Sequence, residues 1–138
     1  MDQGLYIAAI PYFEEAIELA PEDQEGYVSK IKALHWGKRY YRCVEFGEKA
    51  DQLTFERNAD IAWFIGDSQY QLGNYEQAVI YLKQATDRNP DDPELGSGLA
   101  RAYLALEDDA KAVESYKIAL KLNPENWMAL NVVMSNMK

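Results

Sequence analysis

The sequence predicts an all-α solenoid, a stack of repeated helix pairs, because three separate series of residues recur with one period. One series of small residues has gaps of 34, 35 and 34 positions and comprises Ala16, Ala50, Ala85 and Ala119. A second has the same gaps and comprises Ala9, Cys43, Ala78 and Ala112. The third comprises Tyr6, Tyr40 and Tyr75, and Asp109 continues it at the same spacing. A repeat of this length is typical of a unit that buries its apolar face against its neighbour.

The unit at residues 59–92 shows most clearly why each repeat is interpreted as two helices. Its first amphipathic stretch comprises Ile61, Ile65, Tyr70 and Leu72. The turn signal Gly73-Asn74 ends that stretch. The second stretch comprises Tyr75, Ala78, Val79, Leu82 and Ala85. Small residues allow two helix backbones to approach closely. Proline ends the second helix, as at Pro21, Pro90 and Pro124.

The motif Gly66-x6-Gly73-Asn74-Tyr75-x2-Ala78-x6-Ala85-x4-Pro90 resembles the tetratricopeptide repeat. A second copy matches at Ala100, Tyr103, Ala112, Tyr116, Ala119 and Pro124. The middle unit departs from the pattern at three positions. Lys30 occupies the position of an aliphatic residue, Gly47 that of a bulky residue, and Phe55 that of the terminal proline. One extra residue lies between Ala50 and Ala59. The resemblance implies a right-handed α-α superhelix that covers essentially the whole chain.

The same resemblance predicts one solenoid domain over residues 1–138, divided into five parts. Residues 5–20 are a lone second helix, full repeats follow at 24–58, 59–92 and 93–126, and residues 127–138 are the first helix of a further or capping repeat. The segment 127–134 is apolar on nearly all sides, which is typical of a buried helix. We therefore expect further repeats, a partner, or a second copy of the chain to cover this end.

Composition narrows the possible partners. The formal net charge is −9 and the sequence pI is about 4.6, which argues against binding to nucleic acid or to anionic lipid. The sequence has no apolar run of the length that spans a bilayer, so we expect no membrane insertion. The first residues lack the pattern of a signal peptide. If Met1 is the native start, the sequence therefore predicts a cytoplasmic protein.

Catalysis requires several reactive side chains that converge, and the sequence offers none. His35 is the one histidine and Cys43 the one cysteine. Cys43 falls on a small-residue packing position, so we interpret it as a buried structural residue. His35 is interpreted as a surface or groove side chain rather than a base. We therefore predict a protein that is not an enzyme and that holds no metal or cofactor.

In the family that the chain resembles, the first helices line a concave groove that binds a peptide or helix of another protein. Carried over by position, the groove comprises Val28, Lys32, His35, Trp36, Asp60, Trp63, Asp67, Tyr70, Ser97, Arg101 and Leu104. Aromatic residues and arginine are common at binding hot spots. Trp63 and Tyr70 also have apolar neighbours, so a role in the core is the alternative for both. The resemblance therefore implies a protein-binding scaffold or adaptor.

One subgroup of the family holds a C-terminal carboxylate with a clamp of two lysines, asparagine and arginine. The matching positions here hold Val28, Lys32, Phe64, Glu94 and Gly98. Glu94 would repel a carboxylate, so binding of acidic chaperone tails is disfavoured. The rival to a binding module is a structural spacer of a larger repeat protein, or a segment that self-associates through its uncapped ends.

Overall fold

The computed structural model describes residues 3–53 and 58–136, and these residues form eight α-helices without a β-strand. The helices are α1 (Gln3–Leu19), α2 (Gln24–Trp36), α3 (Tyr40–Leu53), α4 (Ala59–Gln71), α5 (Tyr75–Arg88), α6 (Pro93–Ala105), α7 (Asp109–Leu122) and α8 (Trp127–Ser135). The predicted all-α class is confirmed. Phe55 and part of the connection between α3 and α4 lie outside the described residues.

Each helix packs against the helix that follows it in the chain, from α1 to α8. In addition, α2 contacts α4 and α4 contacts α6, so the first helices of successive units lie side by side. This pattern of neighbour contacts is the one that defines a solenoid. In the described part of the chain, no helix is long and apolar enough to cross a membrane.

The helices begin where capping residues precede them. Asp23, Asn58 and Asp92 occupy the N-cap positions of α2, α4 and α6, and each side chain accepts a hydrogen bond from a backbone N–H in the first turn. Such a bond satisfies one of the amides that a helix start leaves without an intrahelical partner. The first helices therefore start at equivalent points of successive units.

The recurring small residues lie at the closest helix contacts. Cys43, Ala50, Ala78, Ala85, Ala112 and Ala119 are all fully buried. Their counterparts in α1 differ, since Ala9 is half-buried and Ala16 is exposed. Among the described helices, the extensive contacts of α1 are with α2, and α1 has no buried side chain. The recurring small residues are therefore fully buried in α3, α5 and α7, each of which contacts both the preceding and the following helix.

The middle unit accommodates its departures from the repeat through complementary contacts. The Nζ atom of Lys30 lies 3.6 Å from a carboxylate oxygen of Glu14 and 4.1 Å from the centre of the Phe46 ring. At Gly47, a Cβ atom would lie 2.6 Å from Cγ1 of Ile65, a buried residue of the next unit. The absence of a side chain at Gly47 therefore leaves the space that Ile65 occupies. Lys30 lies over the Phe46 ring and keeps its charged end near the surface.

The turns between first and second helices require a left-handed backbone at one position in each unit. Lys38, Gly73 and Glu107 have φ angles of 60°, 83° and 61°. They are equivalent residues, separated by 35 and 34 positions. Glycine adopts this conformation without steric cost, whereas a residue with a side chain does not. The sequence meets this requirement only at Gly73.

We expect Glu107→Gly to raise the free energy of unfolding by about 0.5 to 1 kcal/mol, because it relieves the left-handed strain after α6. Urea unfolding followed by helical circular dichroism measures the change. Glu107→Ala is the matched control, since it removes the same carboxylate and keeps a Cβ atom. Equal stability of the glycine and alanine variants would contradict the prediction.

Cys43 has the buried structural position expected for it. Its thiol lies 3.7 Å from the carbonyl oxygen of Ile31 and 3.8 Å from that of Phe64, between two first helices. Burial raises the pKa of the Cys43 thiol to about 11; the nearby Ser68 side chain opposes that rise, and the charge of Asp67 adds to it. The reactive thiolate is therefore scarce at neutral pH.

We expect native Cys43 to resist thiol-reactive dyes up to about pH 9, because at pH two units below its pKa only about one thiol in a hundred is ionised. The rate of labelling with a maleimide or a disulfide dye, measured at pH 7 to 9, checks this. The same chain in denaturant provides the control and should label rapidly. Fast native labelling would show that the thiol is not buried as described.

Candidate functional site

The first helices α2, α4 and α6 present one continuous surface, here called the first-helix face. Nine of its eleven sequence-predicted residues, all except Trp36 and Asp60, occupy three sets of equivalent positions along the repeat. The first set is Val28, Trp63 and Ser97, the second is Lys32, Asp67 and Arg101, and the third is His35, Tyr70 and Leu104. Of the first two sets, Lys32 and Arg101 are exposed, Trp63 and Ser97 are half-buried, and Val28 and Asp67 pack inward. In the third set, His35 is buried and Tyr70 and Leu104 are half-buried.

One depression of about 310 Å³ lies where α2, α4 and α6 meet. It is lined by Lys32, Trp36, Asp60, Trp63, Phe64, Asp92, Glu94 and Leu95. We call it the acidic depression, because three carboxylates face one lysine. Among the described residues, Lys32, Asp60 and Glu94 form no ion pair, and all three are exposed. Trp36, also exposed, supplies apolar surface beside them.

A second depression, of about 280 Å³, lies between α4, α6, α7 and α8. We call it the Arg101 depression. It is lined by Trp63, Pro93, Glu94, Ser97, Arg101, Tyr116, Asn123, Asn126 and Met128. Asn126 caps α8 and also donates a hydrogen bond from Nδ2 to Oγ of Ser97 at 3.0 Å. This bond fixes Ser97 in the wall of the depression.

Trp63 belongs to both depressions and to the core. Its side chain is half-buried and packs against three of the hydrophobic clusters, including the clusters around Ile31 and Leu82. Gly98 of α6 lies beside the indole, since a Cβ atom there would be at ordinary contact distance, 3.5 Å, from Nε1. Groove and core were the two alternatives for Trp63; its side chain packs against the core and also lines the two depressions.

His35 lies in the interior, so the expected surface or groove position is wrong for its side chain. It is 5% exposed, and its Nε2 atom donates a hydrogen bond to Oδ2 of Asp67 at 2.6 Å. Both side chains of this pair are largely buried. The rings of Trp36, Trp63 and Phe64 lie within 5.5 Å of the imidazole, centre to centre. His35 and Asp67 therefore join α2 to α4 directly beneath the acidic depression.

The remaining predicted groove residues are half-buried and pack against the core. Val28 lies against the cluster that contains Tyr27 and Ile31. Tyr70 lies against the cluster around Leu82, with its ring 5.4 Å from that of Tyr75. Leu104 lies against the cluster around Tyr116. None of these three lines either of the two depressions, among the residues that the structure describes.

Sequence reasoning missed several residues that line the depressions, above all Tyr116, Asn126 and Met128. Tyr116 belongs to a second helix, and its position in the repeat marks it as a packing residue. Asn126 and Met128 lie at the start of α8, which enters the depression because α8 packs on α7. The repeat spacing itself was the available signal, since Asn126 and Met128 follow Pro124 as Asp92 and Glu94 follow Pro90.

Metal coordination has no candidate in the described part of the chain. Residues 3–53 and 58–136 hold no group of three or more histidine, cysteine, aspartate or glutamate side chains arranged to bind an ion. The acids at the helix starts instead accept capping hydrogen bonds, as Asp92 and Asp108 do.

Stacked helix pairs with an open first-helix face define an α-solenoid of short repeats. Two family models described as tetratricopeptide repeat match the chain, one over residues 69–130 and the other over residues 1–23. The chain belongs to the tetratricopeptide repeat family.

Curated relatives are distant and much longer. The chain is 26% identical over 107 residues to the mouse interferon-induced protein with tetratricopeptide repeats 3. The aligned region covers 75% of this chain and 24% of that protein. It is 28% identical over 121 residues to the Dictyostelium discoideum homolog of DnaJ homolog subfamily C member 3. This aligned region covers 85% of this chain and 24% of that protein. The chain thus spans 24% of the length of each of these relatives.

Solved structures support the same architecture. MamA has a TM-score of 0.86 at 18% identity, with 94% of this chain and 75% of that chain covered. YrrB, a TPR protein with an unusual peptide-binding site, has a TM-score of 0.79 at 18% identity. The match covers 94% of this chain and 66% of the YrrB chain. At such identities, these likenesses establish the solenoid fold and carry no information on what this chain binds.

Proposed function

We propose that the chain is a protein-binding module, a scaffold or adaptor that holds an extended or helical segment of a partner across the first-helix face. The observation that carries this proposal is the position of Trp63. Its half-buried indole separates two depressions and lines both. A partner segment that crosses Trp63 would contact three successive first helices at once.

The chemistry of this surface suits protein recognition better than small-molecule binding. Both depressions are open to solvent, and exposed charges lie beside the indoles of Trp36 and Trp63. Aromatic side chains with few rotatable bonds bury much area at little entropic cost, which is why they dominate binding hot spots. YrrB shares the fold, and its peptide-binding site shows that this architecture can hold a peptide. A peptide site in this chain is our proposal.

Selection of peptides from a random display library on the wild-type chain tests the proposal. The dissociation constants of the selected peptides are then compared between the wild type and Trp63→Ala. We expect Trp63→Ala to weaken binding by about tenfold or more. Trp127→Ala is the matched control, because Trp127 is 75% exposed on α8 and lines neither depression.

Arg101→Glu tests the same face without disturbing the core, since Arg101 is exposed. Circular dichroism establishes that each variant keeps the helicity of the wild type. If Trp63→Ala and Arg101→Glu both fold normally and keep full affinity for the selected peptides, the assignment of the groove is wrong. A selection that returns no binding peptide would count against the binding module itself.

The second candidate function, also a proposal, is self-association or packing within a larger array through α8. The observation that favours it is the exposed apolar surface of that helix, where Trp127, Met128 and Met134 are all more than half exposed. A further depression of about 560 Å³ lies beside Trp127 and Leu130. Exposed apolar patches of this kind mark surfaces that another protein covers.

Sedimentation velocity over a range of concentrations tests this second candidate. We expect the wild type to associate as its concentration rises and a variant with an added polar capping helix to remain monomeric. A chain that stays monomeric at high concentration without such a cap would contradict self-association. The peptide affinities are measured at concentrations at which the chain is monomeric, because Met128 of this apolar surface also lines the Arg101 depression, whereas Trp127 and Met134 line neither depression.

A further inference from the structure

The Arg101 depression contains a hydrogen-bond donor for which the described chain provides no acceptor. Tyr116 is 1% exposed, and its hydroxyl oxygen is buried without a hydrogen-bond partner among the described residues. Buried hydroxyl groups are nearly always paired, because an unpaired one loses its hydrogen bonds to water and regains none. Phenylalanine would fill the same space without that cost. The hydroxyl therefore requires an explanation that packing alone does not give.

Two further donors line the same depression. Arg101 extends its guanidinium from α6, is exposed, and forms no ion pair within the described residues. Ser97 lies one helical turn before it, and its Oγ atom accepts the hydrogen bond from Asn126. The serine proton is therefore directed to some other acceptor. Three donors of different chemistry, from α6 and α7, thus border one small space.

The electrostatics of that space favour an anion. Burial raises the pKa of the Tyr116 hydroxyl, and the positive charge of Arg101 lowers it in opposition. Glu94 is the carboxylate at the edge of the depression, but it is exposed and also borders the acidic depression. Arg101 is exposed as well, but of these two charges it is Arg101, and not Glu94, that lowers the pKa of the Tyr116 hydroxyl.

We propose that the Arg101 depression binds the carboxylate of an aspartate or glutamate side chain of the partner segment. Arg101 supplies the opposite charge, and the hydroxyl groups of Tyr116 and Ser97 donate hydrogen bonds once the exposed side chains around them move aside. Trp63 and Met128 contact the aliphatic stem of the bound residue. This inference rests on the proposed function and specifies its partner.

This arrangement differs from the two-lysine, asparagine and arginine clamp that the sequence lacks. It uses one arginine together with a tyrosine from a second helix, and it takes a side chain within the partner segment rather than a chain end. The two sources of a carboxylate are separated in the experiment by blocking the ends of every peptide. Charge-assisted hydrogen bonds of this type are short and strong, so each partner should contribute measurably.

The test uses the peptides selected on the wild-type chain, synthesised with acetylated N-termini and amidated C-termini. Each aspartate or glutamate is replaced singly by asparagine or glutamine, and the dissociation constants are measured at one fixed salt concentration. We expect one replacement to weaken binding by about tenfold or more. When the same peptides are measured with the Arg101→Gln variant, the acid replacement should weaken binding much less. The reason is that the peptide substitution and Arg101→Gln remove the same interaction.

Tyr116→Phe separates recognition from a structural role. We expect its thermal midpoint to equal or exceed that of the wild type, since the substitution removes an unpaired buried hydroxyl. We expect its affinity for the acidic peptides to fall by about tenfold at the same time. Tyr41→Phe is the matched control, because Tyr41 is exposed on α3. A structural role alone would change stability and leave the affinity unchanged.

The outcomes distinguish this inference from the function on which it rests. If no acid replacement matters while Trp63→Ala still weakens binding, the groove stands and the carboxylate site is overturned. The carboxylate site is also overturned if the acids matter equally in the wild type, Arg101→Gln and Tyr116→Phe. If Trp63→Ala has no effect on peptide affinity, the groove assignment is itself wrong.

Discussion

Replacing Asp67 by alanine is expected to lower the free energy of unfolding by about 3 kcal/mol. The carboxylate of Asp67 accepts the only hydrogen bond that the described structure gives to the imidazole of His35, at 2.6 Å. Without it, both ring nitrogens of a buried histidine would lack a partner in the folded chain. In the unfolded chain, water would satisfy both.

The size of the expected loss follows from the surroundings of the pair. Both side chains are largely buried, and aromatic rings face the imidazole from several sides. Aromatic surroundings exclude the water that would otherwise replace the lost acceptor. Exposed ion pairs contribute much less, so we expect no comparable effect for the pair of Lys111 and Asp108 at the surface.

Urea unfolding of the wild type, Asp67→Ala and Asp67→Asn measures this contribution. Asparagine keeps a carbonyl oxygen that can accept from Nε2 and loses only the charge, so we expect it to cost about half as much as alanine. A loss below about 1 kcal/mol for Asp67→Ala would contradict a structural role for the pair. Equal losses for the two variants would assign the effect to charge rather than to the hydrogen bond.

The burial of His35 could not be predicted from the sequence, because its acceptor lies in the next unit. His35 and Asp67 are 32 positions apart, and only the stacking of α4 on α2 brings them together. The sequence contained one signal, since the apolar residue Ile31 lies one helical turn before His35. In the structure Ile31 is fully buried. Residues four positions apart share a helix face. An isolated histidine on an apolar face is nevertheless equally consistent with surface exposure.

The periodicity predicted the fold well because each of its signals acts locally. The recurring small residues and the turn at Gly73 depend on contacts within a unit or with its immediate neighbour. The turns at Lys38 and Glu107 have the same left-handed geometry without glycine. Their conformation is imposed by the packing of the flanking helices, so residue type alone does not reveal it.

The candidate site was predicted less completely, and the reason is geometric. Carrying positions over by the repeat selects Trp63, Ser97 and Arg101, and the structure places these three residues beside one depression. It gives no account of Tyr116, which comes from a second helix, or of Met128, which comes from the following unit. A surface formed between units includes side chains from every element that borders it.

The glycine of α4 provides the second large effect, and it is one of packing rather than polarity. A Cβ atom at Gly66 would lie 2.7 Å from Cγ of Leu82 and 3.1 Å from its backbone nitrogen. Leu82 is buried in α5, so neither the side chain nor the backbone can withdraw freely. The helix pair can approach this closely because position 66 has no side chain.

We expect Gly66→Ala to destabilise the chain by about 2 kcal/mol, even though alanine favours a helix interior over glycine by about 1 kcal/mol. Gly96 in α6 is the matched control, because the atoms nearest to a Cβ there lie 3.7 Å away, at ordinary contact distance. Gly96→Ala should therefore show the helix preference alone and raise stability by up to about 1 kcal/mol. Urea unfolding of the two variants should give changes of opposite sign. If both variants gain stability, α4 and α5 can separate without cost, and the close contact between them is not what holds that helix pair together.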